Sequence, residues 1–577
     1  MSKKFVVSGN NAKAPFNLKI YRGDGMALLA MNWKKGKPPN DFVGFAIEYK
    51  APKTKNFVTA SNRIAFPGVD GKVNPKKLKS LFSPIQKFRW VSFPFNAEIP
   101  GEFIYKVTPV FMDGNDKLSY GEPQQAGIEL SRETYPGKLN VTFTRGFVSS
   151  QAFVDRYGID SIPMLLPAKA DGGLKFVPTF EKADHAYTWM GFEARSAILE
   201  LIDEGIADAK AEVRAVLYDL NEPGIVSRLE KLGKRLMVII DDSGSHGAPR
   251  SAETQAAKRL IKSAGKENVK RQHMGQLQHN KIIVVDGPKV QAAVCGSTNH
   301  SWRGFFVQNN NAIVVRGAKP TAVFMDAFNN YWDNSTVAKF SATNSARMNS
   351  LGIKGIDAQI GFSPYANENA ILNKISDDIS NNTTSSLFYS LAFLYQTPGA
   401  IQNAIKKVKK DGQVFSYGIS DHKVKALTGK TLLGVAVQKP DGKVTVIQPE
   451  ALRKNVPEPF KSEPTGGGGT RMHHKFIVLD FDKPTARVYM GSYNFSVSAD
   501  TKNGENLLLI RDRRIAVSYV VEAIRLFDHY HFRVVQLDKK AKKTLQLAKP
   551  PRKLGEKAWW VEDYTDPRKI MDRQLFA

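Results

Sequence analysis

The feature that most constrains this chain is a motif that occurs twice, HxKxxxxD followed by GSxN. The first copy reads HNKIIVVDG and is followed by GSTN at 296–299, and the second reads HHKFIVLDF and is followed by GSYN at 491–494. The candidate site residues of the two copies are His279, Lys281, Asp286, Ser297, Asn299, His473, Lys475, Asp480, Ser492 and Asn494. Ten histidines in 577 residues produce only about 0.14 chance matches to HxKxxxxD. Two similarly spaced copies therefore indicate a duplicated unit that carries a site.

Each motif is predicted to lie on a strand. An apolar run follows each motif lysine, IIVV in the first copy and FIVL in the second, and short runs of this kind are typical of buried strands. Since residues i and i+2 of a strand face the same way, we expect His279 to project together with Lys281, and His473 together with Lys475. The two strands would then present two imidazoles and two cations.

This set of groups suits the cleavage of a phosphodiester, which needs a nucleophile, an acid for the leaving oxygen, and cations or donors around the phosphoryl oxygens. One histidine can attack to form a phosphohistidine, while the other protonates the leaving oxygen and then activates water. The motif lysines, Asn299 and Asn494 are expected to bind the oxygens, with Ser297 and Ser492 nearby. Because the lysines supply the positive charge, we expect no cofactor and no metal.

The sequence around each motif is also repeated. Residues 217–242 and 391–421 both read as strand, loop, helix and strand, with PGI in the loop of the first and PGA in the loop of the second. We therefore predict an α/β fold of two duplicated βαβ-rich halves, 138–340 and 350–577, packed as one catalytic body. Each sheet is expected to be mostly parallel.

Residues 1–133 have a different pattern. Short alternating runs, such as FIYKVT at 103–108, are separated by turn residues, such as MDGND at 112–116, and this is typical of strands and hairpins. The region is predicted to be a small all-β sandwich, and it resembles fibronectin type III and immunoglobulin-like modules. Because both motifs lie outside it, we expect residues 134–577 alone to retain turnover of a small diester.

The paired motifs, together with GENLLLI at 504–510, resemble the phospholipase D superfamily over about residues 140–577. The resemblance implies that two such halves pack so that both motifs meet in one cleft. It also implies a metal-independent phosphodiesterase or phosphatidyl transferase, in a superfamily whose substrates range from phospholipids to nucleic acids.

The same resemblance implies that an acidic residue after GSxN orients each catalytic histidine. Glu505 lies fourteen residues after the glycine of the second GSxN, and Asn310 lies fourteen residues after the glycine of the first. We therefore predict that Glu505 orients His473 and that Asn310 orients His279. Because a carboxylate stabilises an imidazolium better than an amide does, His473 is predicted to be the nucleophile and His279 the general acid and base.

The net charge of +28 favours polyanionic partners. We predict a phospholipid substrate, with an anionic membrane surface as a further partner. A nuclease of the same superfamily that acts on DNA or RNA is the alternative, and a binding or scaffold protein with weak catalysis is the third hypothesis. The single cysteine, Cys295, and the lack of any run of 18 apolar residues predict no intrachain disulfide and no transmembrane segment. The N-terminus has no signal-peptide pattern, which favours a cytoplasmic location.

Residues 456–470 precede the second motif and include four consecutive glycines at 466–469. They are predicted to be either a lid over the cleft or a plain linker. The first half has no matching insertion at this place, so this segment is a candidate determinant of substrate choice.

Overall fold

The computed structural model describes residues 4–62, 64–67, 78–94, 97, 99–130, 133–421, 424, 435–439, 444–447, 472–535 and 546–577. The predicted lid or linker at 456–470 lies outside these residues. Antiparallel sheets at the N-terminus are followed by two larger mixed sheets.

The N-terminal region is built from antiparallel strands. They are β1 (Val6–Ser8), β2 (Phe16–Gly23), β3 (Met26–Trp33), β4 (Phe42–Lys50), β5 (Val58–Thr59), β6 (Ser61–Asn62), β7 (Leu78–Lys79), β8 (Arg89–Ser92), β9 (Glu102–Met112), β10 (Leu118–Tyr120) and β11 (Gln124–Glu129). One sheet has the order β1-β2-β3-β8, and the other has the order β10-β9-β4-β5 with β11 beside β9. Phe103, Tyr105 and Val107 of β9 share a core with Leu18 and Leu29 of the first sheet. The predicted all-β region is confirmed, and its likeness to a fibronectin type III module stays a prediction.

Two larger sheets follow, with helices packed on them. The first sheet contains β12 (Leu139–Arg145), β13 (Glu212–Leu217), β14 (Leu236–Ile240), β15 (Val269–Arg271), β16 (Lys281–Asp286), β17 (Gln291–Gly296) and β18 (Asn309–Arg316). The second contains β19 (Asn349–Ser350), β20 (Asp357–Ser363), β21 (Ser386–Leu391), β22 (Phe415–Ser420), β23 (Val435–Gln438), β24 (Val444–Ile447), β25 (Lys475–Leu479), β26 (Arg487–Gly491) and β27 (Glu505–Arg511). The α-helices are α1 (Gln151–Tyr157), α2 (Ile162–Leu165), α3 (Ala183–Met190), α4 (Ala194–Ala207), α5 (Pro223–Leu232), α6 (Ala252–Ala264), α7 (Ala318–Asp333), α8 (Val337–Ser341), α9 (Leu372–Asn381), α10 (Ala400–Asp411), α11 (Val497–Thr501), α12 (Arg513–Val535), α13 (Val561–Thr565) and α14 (Pro567–Phe576).

The two larger sheets repeat one topology. The order β12-β18-β17-β16-β13-β14 in the first sheet matches β20-β27-β26-β25-β21-β22 in the second. Within these matched strands, β13 pairs with β14 and β21 with β22 in parallel, while the other neighbours are antiparallel. The predicted duplication is confirmed, but the expectation of mostly parallel sheets is wrong. The reason is that each motif strand continues into the next strand through a hairpin, which joins antiparallel neighbours without a helical crossover.

The motif strand β16 is buried on both faces. Ile282 and Val284 lie in one core together with residues of α7, whereas Ile283 and Val285 lie in another core together with residues of α4. The apolar run after Lys281 therefore anchors its strand between two helices. A site at the start of such a strand is held on a rigid element.

The C-terminal residues return to the N-terminal sheets. Trp560 is 2% exposed and lies in the core between those sheets. Nε1 of Trp559 donates a hydrogen bond of 3.1 Å to the carbonyl oxygen of Phe42, and Nε of Arg89 on β8 donates one of 2.8 Å to Asp572 on α14. The N-terminal region and the end of the chain therefore share one core.

A buried arginine also joins the N-terminal region to both halves. Nε of Arg145 lies 2.7 Å from Oε1 of Glu193 in the first half, and its Nη1 pairs with Glu522 in the second half. Its Nη2 donates a 2.7 Å hydrogen bond to the carbonyl oxygen of Asp24. Removing the N-terminal strands would take one hydrogen-bond acceptor from this buried network. The guanidinium of Arg145 would then be left incompletely paired, which lowers the free energy of unfolding.

We therefore expect the fragment 134–577 to lose its fold, in contrast to the expectation from the motif positions.

In the full chain, Trp560→Ala should lower the free energy of unfolding by about 3–5 kcal/mol, because it empties a large buried volume. Leu554 is exposed, so the control Leu554→Ala should change the free energy of unfolding by less than about 0.5 kcal/mol. Circular dichroism during guanidinium unfolding measures both. A fragment 134–577 that melts at the temperature of the full chain would show that the shared core is dispensable.

Candidate active site

The two motif histidines lie at equivalent places in the two sheets. Each stands two residues before the start of its motif strand, His279 before β16 and His473 before β25. In the neighbouring antiparallel strands, Leu217 is in register with Lys281 and Leu391 with Lys475. The motif residues therefore lie at the ends of the sheets where β13 and β21 have their carboxyl ends. Ligands commonly bind at this end of an α/β sheet.

Each histidine is held by a residue from the other half of the chain. Nδ1 of His279 lies 2.7 Å from Oε2 of Glu505, and Nδ1 of His473 lies 2.7 Å from Oδ1 of Asn310. The predicted pairing, Glu505 with His473 and Asn310 with His279, is wrong, because each partner contacts the opposite histidine. Hydrogen bonding at Nδ1 leaves Nε2 of each ring as the nitrogen that can act in chemistry, and Nε2 of His473 lies 3.2 Å from Nζ of Lys475.

The crossed pairing follows from how the backbones of the two halves meet. Gln278, just before His279, forms a parallel bridge with Gly504, just before Glu505. Asn309, just before Asn310, forms the corresponding bridge with Met472. The start of each motif strand is thus aligned with the start of a strand in the opposite sheet, and this alignment brings each histidine to the other half's partner.

The imidazoles and ammonium groups of the motifs are almost completely buried, with His279, Lys281, His473 and Lys475 between 1% and 5% exposed. Burial, with the charges of the two lysines, holds the pKa of His279 and the pKa of His473 well below the ordinary value for histidine. Burial also lowers the pKa of Lys281 to about 8 and that of Lys475 well below its ordinary value. Since each lysine acts on both histidines, the four groups form one electrostatic unit that an anion would stabilise.

Glu505 and Asn310 differ in what they offer to their histidines. Glu505 is buried, and burial raises its pKa to about 8 against the opposing charges of Lys281 and Lys475. When ionised, its carboxylate can stabilise a positive charge on His279. Asn310 donates its amide hydrogen to the carbonyl oxygen of Gly304 at 3.0 Å, so its carbonyl oxygen faces Nδ1 of His473 and orients the ring without charge.

The serines of the two GSxN sequences hold the orienting residues. Oγ of Ser297 accepts a hydrogen bond of 3.0 Å from the backbone of Asn311, next to Asn310, and Oγ of Ser492 accepts one of 2.9 Å from the backbone of Asn506, next to Glu505. Each hydroxyl thus fixes the strand start that carries an orienting side chain, and the role of these serines near the substrate stays a prediction.

The asparagines of GSxN have one free oxygen each. Nδ2 of Asn299 donates a 2.6 Å hydrogen bond to Oδ2 of Asp219, and Asn494 is half-buried. Within the described part of the chain, Oδ1 of Asn299 and Oδ1 of Asn494 have no hydrogen-bond partner.

The motif aspartates lie far from the histidines. Asp286 is at the other end of β16 from His279, roughly 20 Å away at the rise of a strand, and it accepts a hydrogen bond from Gln291. Asp480 follows β25 and accepts 2.9 Å and 2.7 Å hydrogen bonds from the backbone of Thr384 and Ser385. The structure does not bring these two carboxylates together with the histidines, because both fasten loops at the opposite ends of the motif strands.

Two aromatic side chains at the site were missed by sequence reasoning. The rings of Tyr218 and His279 have centroids 4.6 Å apart, and Nζ of Lys281 lies 4.6 Å from the Tyr218 ring centroid. In the second half, Phe393 stands in the same relation to His473, at 5.7 Å, and to Lys475. Tyr218 comes one residue after the strand before the motif strand, in LYDL, and Phe393 comes two residues after it, in LAFL. An aromatic residue just after this strand in both halves was the available signal.

Among the described residues, no helix combines the length and apolarity that crossing a membrane requires.

Comparison with known proteins finds that parts of both halves are similar to one kind of domain. Residues 202–332 and 380–527 match the family model described as cardiolipin synthase, PLD-like domain. The chain is 50% identical over 48 residues to a phospholipase D of Rickettsia prowazekii (strain Madrid E), which covers 8% of this chain and 22% of that protein. A phospholipase D of Rickettsia typhi (strain ATCC VR-144 / Wilmington) is 46% identical over a stretch of the same length. The chain thus spans about a fifth of the length of these curated relatives.

Two solved structures are similar over parts of the chain. The phospholipase D family member Nuc from Salmonella typhimurium is 25% identical, with a TM-score of 0.20, over 24% of this chain and 88% of that one. The phosphatidylserine synthase of Haemophilus influenzae Rd KW20 is 12% identical, with a TM-score of 0.38, over 57% of this chain and 84% of that one. The family match includes most of each sheet of repeated topology, and the arrangement of the duplicated halves matches a two-domain PLD-like fold.

Proposed function

We propose that this protein is a metal-independent phosphodiesterase that works through a phosphohistidine intermediate. The observation that carries the proposal is the pair of buried imidazoles, each fixed at Nδ1 by a residue of the other half. One such ring supplies a nucleophile and the other an acid, and the two lysines supply positive charge around the phosphoryl oxygens. These are the groups that cleavage of a phosphodiester needs.

His279 is assigned as the nucleophile. Its Nε2 forms a bond to phosphorus while the bond from phosphorus to the leaving oxygen breaks, and the ring becomes positively charged. Glu505, 2.7 Å from Nδ1, stabilises that charge when it is ionised. The criterion that favoured His473 from the sequence, possession of the carboxylate partner, favours His279 once the crossed pairing is known.

His473 is assigned as the general acid and base. A bound phosphodiester offsets the charge of the lysines, so that His473 can take up a proton, which its Nε2 then gives to the leaving oxygen. Asn310 does not stabilise the imidazolium by charge, and His473 therefore gives up its proton readily. In the second step, His473 takes a proton from water, the water oxygen attacks phosphorus, and the bond to Nε2 of His279 breaks.

A phospholipid is the proposed substrate class. The relatives named phospholipase D and the net charge of +28, which suits an anionic membrane surface, support it. DNA or RNA is the second candidate, because the same charge attracts nucleic acids. The proposed mechanism needs no metal at the reacting phosphorus, and it applies equally to a phospholipid and to a nucleic acid.

The test is a panel of substrates assayed in excess EDTA. Phosphatidylcholine, phosphatidylglycerol, single-stranded DNA and a chromogenic phosphodiester are each incubated with the full chain, with and without EDTA. We expect turnover of the chromogenic diester and of one lipid, at a rate within about twofold of the rate without EDTA, because all reacting groups are side chains. Activity that EDTA abolishes and Mg²⁺ or Zn²⁺ restores would show that the metal-free mechanism is wrong.

The pH dependence of kcat/KM should be a narrow bell centred near pH 8. Burial raises the pKa of Glu505 to about 8, so activity rises with pH as this carboxyl group ionises and can stabilise His279. Burial lowers the pKa of Lys281 to about 8, so activity falls as pH rises further and this ammonium loses its charge. In Lys281→Arg the guanidinium stays charged, so the part of the alkaline fall that Lys281 causes should disappear, while any part caused by Lys475, whose pKa burial also lowers, should remain. A wild-type profile that is flat across pH 8 would contradict this account.

A further inference from the structure

A second group of polar side chains lies beside the candidate active site. It consists of Asp219, His246 and Glu253, called here the Asp219 cluster, and one ligand atom of each lies within 4.8 Å of the others. Nε2 of His246 is 3.2 Å from Oδ1 of Asp219 and 3.9 Å from Oε1 of Glu253. The side chains of His246 and Glu253 are 13% and 6% exposed, and that of Asp219 is 29% exposed, so the cluster is open on the Asp219 side.

The distances within the cluster suit a shared cation. A charge-assisted hydrogen bond from an imidazolium to a carboxylate is typically about 2.7–2.9 Å long, and the contact between Nε2 of His246 and Asp219 is longer. Bonds of about 2.0–2.2 Å to a tetrahedral cation separate neighbouring ligand atoms by about 3.3–3.5 Å. The observed 3.2 Å and 3.9 Å bracket that separation, so a cation fits between these atoms with little movement.

The histidine of the cluster is oriented as metal-binding histidines are. Its Nδ1 lies 2.8 Å from Oδ2 of Asp241, which leaves Nε2 directed at the other two ligands. A carboxylate on the second nitrogen of the ring fixes the tautomer and increases the basicity of the ligating nitrogen. The loop around it is also fastened, because Arg271 and Ser251 both donate 2.6 Å hydrogen bonds to the carbonyl oxygen of His246.

The place of the cluster in the fold is a ligand-binding place. Asp219 follows β13 and His246 follows β14, at the carboxyl ends of two parallel strands, and Glu253 lies in the first turn of α6. The ring of Tyr218 separates His246 from His279, with centroid distances of 4.5 Å and 4.6 Å. The cluster is therefore next to the phosphoryl-transfer groups but distinct from them.

We propose that the Asp219 cluster binds one divalent transition-metal cation of the zinc class, with Asp219, His246 and Glu253 as its protein ligands. One nitrogen and two carboxylate oxygens, with a fourth position open to solvent, form a ligand set that Zn²⁺ accepts. The cation is held in the wall of the cleft and takes no part in bond making at phosphorus. Its binding is therefore compatible with turnover in EDTA, and the two proposals can fail separately.

Titration with Co²⁺, which reports ligand geometry by visible absorption, tests this site in the full chain. The protein is first treated with EDTA and then freed of the chelator. We expect one equivalent of Co²⁺ to bind with a visible band typical of low coordination number, Zn²⁺ to displace it, and Mg²⁺ to leave it in place, because Mg²⁺ prefers oxygen ligands in octahedral geometry. Absence of a saturable equivalent, with His246 serving only as an ion-pair partner of Asp219, would overturn the proposal.

Two variants locate the binding, and one provides a matched control. His246→Ala should abolish the band, and Asp241→Asn should weaken Co²⁺ binding about 10- to 100-fold by releasing the ring. His273 pairs with Asp242 at 2.7 Å on the surface and forms no second ion pair among the described residues, so His273→Ala should bind Co²⁺ as the wild type does. Thermal unfolding in EDTA checks that each variant is folded. A folded His246→Ala protein that binds Co²⁺ with wild-type affinity would place the cation elsewhere and refute the assignment.

Discussion

Replacing either His279 or His473 by Asn is expected to lower kcat by roughly 10⁴- to 10⁶-fold, because each change removes a chemical step. Asn keeps a polar side chain of similar size at these buried positions, so the fold should persist. The matched control is His273→Asn at the exposed ion pair with Asp242, which should leave kcat within about threefold. Initial rates on the chromogenic phosphodiester measure all three.

Trapping of the intermediate separates the two roles. In His473→Asn, a substrate whose leaving group needs no acid should still react with His279. The phosphohistidine should then accumulate, because no base activates water. Label from the phosphoryl group is then expected on the peptide that contains His279. The same substrate with His279→Asn should leave no label. Label on the His473 peptide in His279→Asn, with none in the reverse experiment, would reverse the roles and leave the enzyme class intact.

Glu505→Gln is expected to lower kcat by roughly 10³- to 10⁴-fold. The amide can accept the hydrogen bond from His279 but offers no negative charge to the imidazolium, and loss of the corresponding charge in a serine protease triad costs about 10⁴-fold. The acidic limb of the pH profile, which reflects ionisation of Glu505, should disappear at the same time. Rates measured across pH for both proteins test this expectation.

Asn310→Ala should have a smaller effect than Glu505→Gln, roughly 10- to 100-fold, because Asn310 orients His473 without stabilising charge. Asp286→Asn is the control for the motif carboxylates, since Asp286 lies at the far end of β16 and should leave kcat within about threefold. If Asn310→Ala proved as damaging as Glu505→Gln and removed the acidic limb, the carboxylate would not be the source of the difference between the two histidines.

Local patterns were sufficient to predict the motif strands and to place each motif histidine beside its lysine. The spacing of His279 and Lys281 placed both side chains on one face of a strand, because the period of a strand is two residues whatever the surroundings. The apolar runs after both lysines predicted buried strands, and the repeated segments around them predicted two equivalent halves. These inferences depend on backbone geometry and burial, which neighbouring residues in the sequence determine.

The pairing of the orienting residues was decided by tertiary structure. Counting along the chain placed Glu505 with His473, but the bridges of Gln278 with Gly504 and of Asn309 with Met472 bring each partner to the opposite half. The orienting contacts join residues 226 and 163 positions apart, and no local preference encodes such a contact. The same holds for Trp560, which completes a core about 500 residues away in sequence from the strands that surround it. Sequence period determined which side chains share a face, and the packing of two sheets against each other determined which faces meet.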